Sequence, residues 1–248
     1  MTNTNHHRIL KFNARYLAVL ASVIPKNDVR YYLNGFFTTP HESGIGAYLV
    51  ATDGHHMVII YDETAETNGD WICQVTPKLL ATAKKKGTGT KSLYNGAGTV
   101  HFINNTVFVA NKNASQMQLP AGVFEINGKT GEINENILHC EYSKPIEGKY
   151  PDFKRVIPEK ADEDQIPLFN PTYLDFADSI KKQLGDPRVN AAKLYGNGPD
   201  KSLIVRFPMH PEILAIIMPM REDKSDKIKA IPDWLVRLNK EEKETEAA

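Results

Sequence analysis

The residues best suited to chemistry fall in one short stretch, Leu49 to Ile60, where Asp53, His55 and His56 surround Gly54. Aspartate and histidine bind metals and exchange protons, so the group invites a metal-dependent hydrolase working through Asp53 and His55. Two points oppose that reading. Neighbours in a strand point to opposite faces, so His55 and His56 are not expected to serve one ion. No second His/Asp/Glu group occurs at ligand spacing, and His6, His7, His101, His139 and His210 are scattered. There is no GxxxxGK[ST], GxGxxG or GxSxG, and Gly87-Thr88-Gly89 closes a helix instead of opening one, so a phosphate cradle is not expected. The expectation is no catalytic residue, no metal and no cofactor.

The second chemical feature is cationic. Lys84-Lys85-Lys86 ends one expected helix, Lys181 and Lys182 end another, and Lys26 follows the first. Lysines in a last turn suit the helix dipole, which is the ordinary explanation. Three helices in equivalent positions, each basic at the same end, also suit contact with nucleic-acid phosphates without sequence preference. Lys26, Asn27, Lys78, Lys84, Lys85, Lys86, Lys181 and Lys182 are the candidates, while Asp175 and Asp178 weaken the case on the last helix.

These residues need elements to hold them. Asp53-Gly54 reads as a hairpin turn between strands at about 47–52 and 57–61. Asp28 to Gly35 reads as part of a further strand, about 29–37. Helices are expected over 14–24, capped by Asn13 and stopped by Pro25; from Thr76-Pro77 to Gly87; and from Asn170-Pro171 to Gly185. Strands are expected at 99–104, 106–110, 122–126, 136–143, 191–195, 201–207 and 213–218, with turns at Asn104-Asn105 and Asn127-Gly128. Helix-then-strands thus recurs three times, predicting an α+β chain in which helices cover an antiparallel sheet.

The chain has 248 residues, 41% hydrophobic and 24% charged, enough for a substantial core. Thirty basic and thirty acidic residues cancel, so an anion-binding surface must come from local clustering, and a neutral chain suits self-association. Cys73 and Cys140 have neither the count nor the spacing of a metal knuckle or disulfide framework, which fits a reducing cytoplasm. No apolar run is long enough to span a membrane, and the first residues lack a signal-peptide core.

Four segments together resemble the bacterial sliding clamp, the beta subunit of the replicative DNA polymerase: DVRYYLNG at 28–35, LVATDGHHM at 49–57, IEGKYPDFKRVIP at 146–158 and IIMPMR at 216–221. NPTYLDFADSIKKQLGD at 170–186 is similar to the family's last helix. The resemblance implies a ring of six similar domains with twelve helices lining a hole for duplex DNA, no catalysis, and a groove for apolar peptides of DNA polymerases and other partners. A clamp loader is implied as a further partner. The implied groove comprises Leu33, Thr52, Gly54, His55, Met57, Pro151, Arg155, Val156, Ser202, Ile216, Ile217, Met218, Pro219, Met220 and Arg221.

Departures accompany the resemblance. The family's first domain has no counterpart, its last domain is shortened, His56 stands where the family usually has Arg, and the charged tail beyond Arg221 is extra. The implied units are 1–158 (a clamp domain like the family's middle one), 159–221 (half of a last domain) and the tail at 222–248, which lies beside the groove in sequence. Three helix units per chain make twelve with four chains, or with three if a tail helix serves as a fourth. The alternative is a clamp homologue that never closes on DNA and instead binds or sequesters clamp partners. Gln165-Ile166-Pro167-Leu168-Phe169 looks like the peptide motif of clamp partners but is read as structural, in a strand leading into the last helix.

Overall fold

A computed structural model describes residues 8–84, 98–111, 137–158, 166–185 and 191–221. The chain order is β1 (Ile9–Asn13), α1 (Arg15–Ala21), β2 (Gly35–Pro40), β3 (Ala47–Thr52), β4 (His56–Asp62), β5 (Glu66–Thr67) and β6 (Trp71–Gln74). Next come α2 (Pro77–Ala83), β7 (Gly98–Ile103), β8 (Thr106–Asn111), β9 (Ile137–Tyr142), α3 (Leu174–Leu184), β10 (Lys193–Tyr195), β11 (Leu203–Phe207) and β12 (His210–Ile217). They form a five-stranded sheet, β5-β1-β7-β8-β9, and a seven-stranded sheet, β10-β11-β12-β4-β3-β2-β6. All pairings are antiparallel, so the expected α+β architecture is present.

The main core lies where the two sheets and the helices meet. Leu10, Phe12, Phe36, Leu49, Val58, Ile60, Phe102, Val205 and Ile217 join Leu17 and Leu20 of α1 and Ile180 of α3 there. A second core covers the other face of the larger sheet, where Val50, Met57, Ile59 and Ile216 pack with Leu33, Tyr150 and Phe153. Burial on both faces explains why Val58-Ile59-Ile60 is continuously apolar instead of alternating.

The helix signals act as the sequence predicts. Thr76 Oγ1 accepts from the Leu79 N–H at 3.1 Å, with Pro77 in the first turn. Asn170 Oδ1 accepts from the Thr172 N–H at 3.1 Å and caps a 3-10 turn, Pro171–Tyr173, so α3 starts at Leu174, later than expected; Gly185 ends it with φ +63°, the left-handed conformation that a residue without Cβ adopts readily. Asn13 Oδ1 accepts from the Arg15 N–H at 3.1 Å. Helix α1 is shorter than the expected 14–24, ending at Ala21, and Tyr16 through Leu20 are all buried. Helices α2 and α3 both pack against α1, and the sheets take its remaining surface.

The strand expected over 29–37 begins only at Gly35, and Tyr31–Leu33 is a 3-10 turn. Local side-chain bonds outcompete extension: Asp28 Oδ1 accepts from the Arg30 N–H at 2.8 Å, and Asn34 Oδ1 from the Asp28 N–H at 2.8 Å. The strand expected at 122–126, the turn at 127–128, Lys85, Lys86, residues 159–165 and the tail at 222–248 lie outside the described residues.

Acid sensitivity is expected on the smaller sheet. Burial pushes the His101 imidazole down to about 4, helped by the charge of Lys11 and opposed by Glu66. Below about 6.5 the unfolded chain takes up a proton that the folded chain resists, so stability falls as pH drops from about 6.5 to about 4. Urea midpoints measured across this window fall in the parent protein, and the slope flattens in His101→Gln.

Candidate functional site

The Asp53–His56 turn is built by its own side chains and by one distant arginine. Gly54 has φ +92° and sits in the three-residue loop between β3 and β4, where a residue without Cβ takes up a positive φ readily. Thr52 Oγ1 donates to the His56 carbonyl at 2.8 Å and accepts from the Gly54 N–H at 3.0 Å. Asp53 Oδ1 accepts from the N–H groups of His55 (2.8 Å) and His56 (2.9 Å). Arg30 closes over the turn, pairing with Asp28 at 2.7 Å and donating to the Asp53 carbonyl at 2.9 Å. A Cβ at position 54 would sit 2.7 Å from Arg30 Nη1. Gly54→Ala therefore loses about 1–2 kcal/mol of stability, from the positive φ and the displaced guanidinium, which urea unfolding measures.

The turn does not arrange its ionisable groups around an ion. Asp53 Oδ2 lies 3.0 Å from His56 Nδ1. Burial alone would raise the Asp53 carboxyl's pKa, but His56 and two backbone N–H groups outweigh it and hold it below its ordinary value. The two histidine rings were expected on opposite faces, yet both stack on Tyr173, with centroids at 5.9 Å for His55 and 5.6 Å for His56. His55 lies in the turn, outside β4, so strand alternation does not govern it. Among the described residues no three His, Cys, Asp or Glu side chains gather as a metal site would.

The same turn meets the end of β12. His56 pairs with Ile217, and the His55 carbonyl accepts from the Met218 N–H at 2.8 Å. Ser202 Oγ donates to the Val156 carbonyl at 2.7 Å, fixing the 3-10 turn Phe153–Val156 beside the start of β11. Between these segments lies a cavity of about 670 Å³. Arg155, Val156, Ser202, Met218 and Pro219 line it, five of the residues that the sequence singled out.

The remaining candidates take other places. Leu33, Met57 and Ile216 are buried in the second core, against which Val156 packs, so they support the cavity from behind. Thr52, Gly54 and His55 form the turn. Ile217 is fully buried in the main core, because alternation along β12 turns it away from Ile216. Pro151, Met220 and Arg221 are exposed and do not line the cavity. The sequence reading missed Ile157, Pro158, Asn197, Asp200 and Lys201. The first two were within reach, since they continue the clamp-like segment at 146–158, whereas the others sit in a turn whose Gly198-Pro199 predicts only a bend.

Of the phosphate-contact candidates, Lys26, Asn27, Lys78, Lys84, Lys181 and Lys182 are exposed. Lys182 forms an ion pair with Asp178 one helical turn earlier. In the 165–169 segment, Phe169 packs on the main core, the Leu168 carbonyl accepts from the Met220 N–H at 2.7 Å, and Ile166 and Leu168 are exposed. No strand forms over its described residues.

A second cavity, about 620 Å³, opens at the far end of β4, lined by Arg15, Tyr16, Asp62, His210 and Glu212 among others. Glu212 meets Arg15 at 3.1 Å and His210 at 3.0 Å, and burial pushes the Tyr16 hydroxyl up to about 12. The cluster ties α1 to β12.

No known family profile matches the chain, and no curated protein matches its sequence. Solved structures do. The beta sliding clamp of C. crescentus matches at 18% identity with a TM-score of 0.50, over 90% of this chain and 67% of that one. The DNA polymerase sliding clamp of Bacillus subtilis matches at 13% identity and a TM-score of 0.53, over 90% and 67%. DNA polymerase III subunit beta of Borrelia burgdorferi matches at 15% and 0.56, over 87% and 63%. The chain therefore has the fold of a bacterial sliding clamp and spans about two thirds of the length of these relatives in structure. No helix among the described residues is long and apolar enough to cross a membrane.

Proposed function

We propose that the chain is a processivity clamp: a homo-oligomeric ring that encircles duplex DNA and tethers a DNA polymerase through the Val156–Met218 cavity. The observation that carries this reading is the sliding-clamp fold with a cavity where clamp-like segments of the sequence converge. Apolar surface from Val156, Met218 and Pro219 suits peptide side chains, and methionine adapts to varied partners. The proposed groove keeps Arg155, Val156, Ser202, Met218 and Pro219 as lining and adds Ile157, Asn197, Asp200 and Lys201.

The mechanism is topological and needs no catalytic residue, metal or cofactor. Lys26, Asn27, Lys78, Lys84, Lys85, Lys86, Lys181 and Lys182 face the phosphates, and their contacts exchange as the ring slides. Residues 1–158 act as a whole clamp domain and 159–221 as half of one. A cytoplasmic clamp loader opens the ring. Four chains complete twelve helices, or three if the tail supplies a fourth unit. Retention of the protein on circular duplex DNA through gel filtration, with release when the circle is cut, tests the proposal. Equal retention on circular and cut DNA would contradict encirclement and favour surface binding; no retention on either would favour the partner-sequestering homologue.

A further inference from the structure

The cavity has two kinds of wall. Val156, Met218 and Pro219 give an apolar side, and Arg155, Asp200 and Lys201 supply charge of both signs. The chain leaves through this wall: Met218 and Pro219 line the cavity, Met220 is 47% exposed, and the described residues end at Arg221. The next part of the sequence has the matching composition. Residues 222–230 are mostly charged and leave a polar tether, and Ile231-Pro232-Asp233-Trp234-Leu235-Val236-Arg237-Leu238 then combines apolar anchors with one anion and one cation.

A tether of this length spans up to about 30 Å when extended, far more than a return to Met218 and Pro219 just before its own start requires. Closing so short a loop costs little, and tethering holds the segment near the cavity at an effective concentration on the order of millimolar.

We infer that residues 231–238 of the same chain occupy the cavity and compete there with partner peptides. The apolar side chains of the segment cover the Val156–Met218 wall, Asp233 meets Arg155 and Lys201, and Arg237 meets Asp200. A partner must displace the segment, so the groove is blocked until a peptide of sufficient affinity or concentration arrives. The competition rests on the peptide-binding role proposed above; occupancy by the tail does not.

Trp234 reports occupancy, since the chain has only Trp71 and Trp234. Subtracting the emission of full-length Trp234→Phe from that of the parent isolates the Trp234 signal. A blue-shifted emission protected from acrylamide is expected, turning water-exposed in Met218→Asp and, as a milder surface change, in Lys201→Glu. Thermal melting confirms that each variant is folded. A water-exposed Trp234 in the parent overturns the inference, and so does a protected Trp234 that neither cavity variant disturbs.

The second arm uses a fluorescein-labelled peptide, Gln-Ile-Pro-Leu-Phe, copied from residues 165–169. It is expected to bind full-length Trp234→Ala about tenfold more tightly than the parent, because the tethered competitor is weakened. Equal affinity for both overturns the competition. Binding to neither overturns the partner-groove reading, and the Trp234 emission then decides tail occupancy by itself.

Discussion

Met218→Asp weakens binding of the labelled 165–169 peptide by at least about 100-fold while the protein remains folded. A carboxylate placed in the apolar wall must be desolvated by the incoming peptide and removes the apolar contact that the peptide's side chains use, and a loss of about 2.7 kcal/mol already gives that factor. The Met218 backbone is held by the His55 carbonyl at 2.8 Å, independently of its side chain, so the local structure persists. Fluorescence anisotropy in a Trp234→Ala background measures the peptide without interference from the tail. Circular dichroism melting separates lost binding from lost fold. Affinity within about threefold of the parent, a difference of roughly 0.7 kcal/mol, would mean that the cavity is not the partner groove.

The largest effect on stability is expected at Phe102. Its ring is fully buried between the two sheets, stacked on Phe12 at 6.4 Å and edge-on to Phe36 at 5.9 Å. The buried Arg8 guanidinium lies over it, 5.0 Å from the ring centre. Burial pulls the Arg8 pKa down, and its Nε and Nη1 have no hydrogen-bond partner among the described residues, so the aromatic face supplies part of what solvates that charge. Phe102→Ala removes the ring and leaves a cavity beside the cation, costing about 3–5 kcal/mol, a large share of a domain's whole stability. Urea unfolding measures it. A loss below about 1.5 kcal/mol would mean that the core closes over the site. Arg8→Met, which removes the charge and keeps much of the volume, is expected to cost much less, because it deletes a buried ion together with its demand for partners.

Local signals proved legible in the sequence where the chemistry is local. Thr76-Pro77, Asn170-Pro171 and Gly185 mark helix ends because a side-chain oxygen, a fixed φ and a missing Cβ act within one turn. The hairpin around Gly54 was readable for the same reason. Asp28–Asn34 was not, since its aromatic and β-branched residues suggest a strand while Asp28 and Asn34 fold the backbone on itself. Nor does any local feature announce that β12 pairs with β4, a strand from far earlier in the chain, to make the seven-stranded sheet.

The candidate site shows the same division. Its apolar wall was readable because Val156, Met218 and Pro219 lie in distinctive segments, whereas Asn197, Asp200 and Lys201 become neighbours of that wall only when β11 docks beside Val156 through Ser202. Arg30 over Gly54 is a further case: a basic residue in an apparent strand is the guanidinium that closes the turn.

The mass of the protein in solution, measured by sedimentation equilibrium across a range of concentrations, tests the ring most directly. A closed assembly of four chains is expected, or of three if the tail completes the helix count. A monomer at every concentration that supports DNA retention would contradict it.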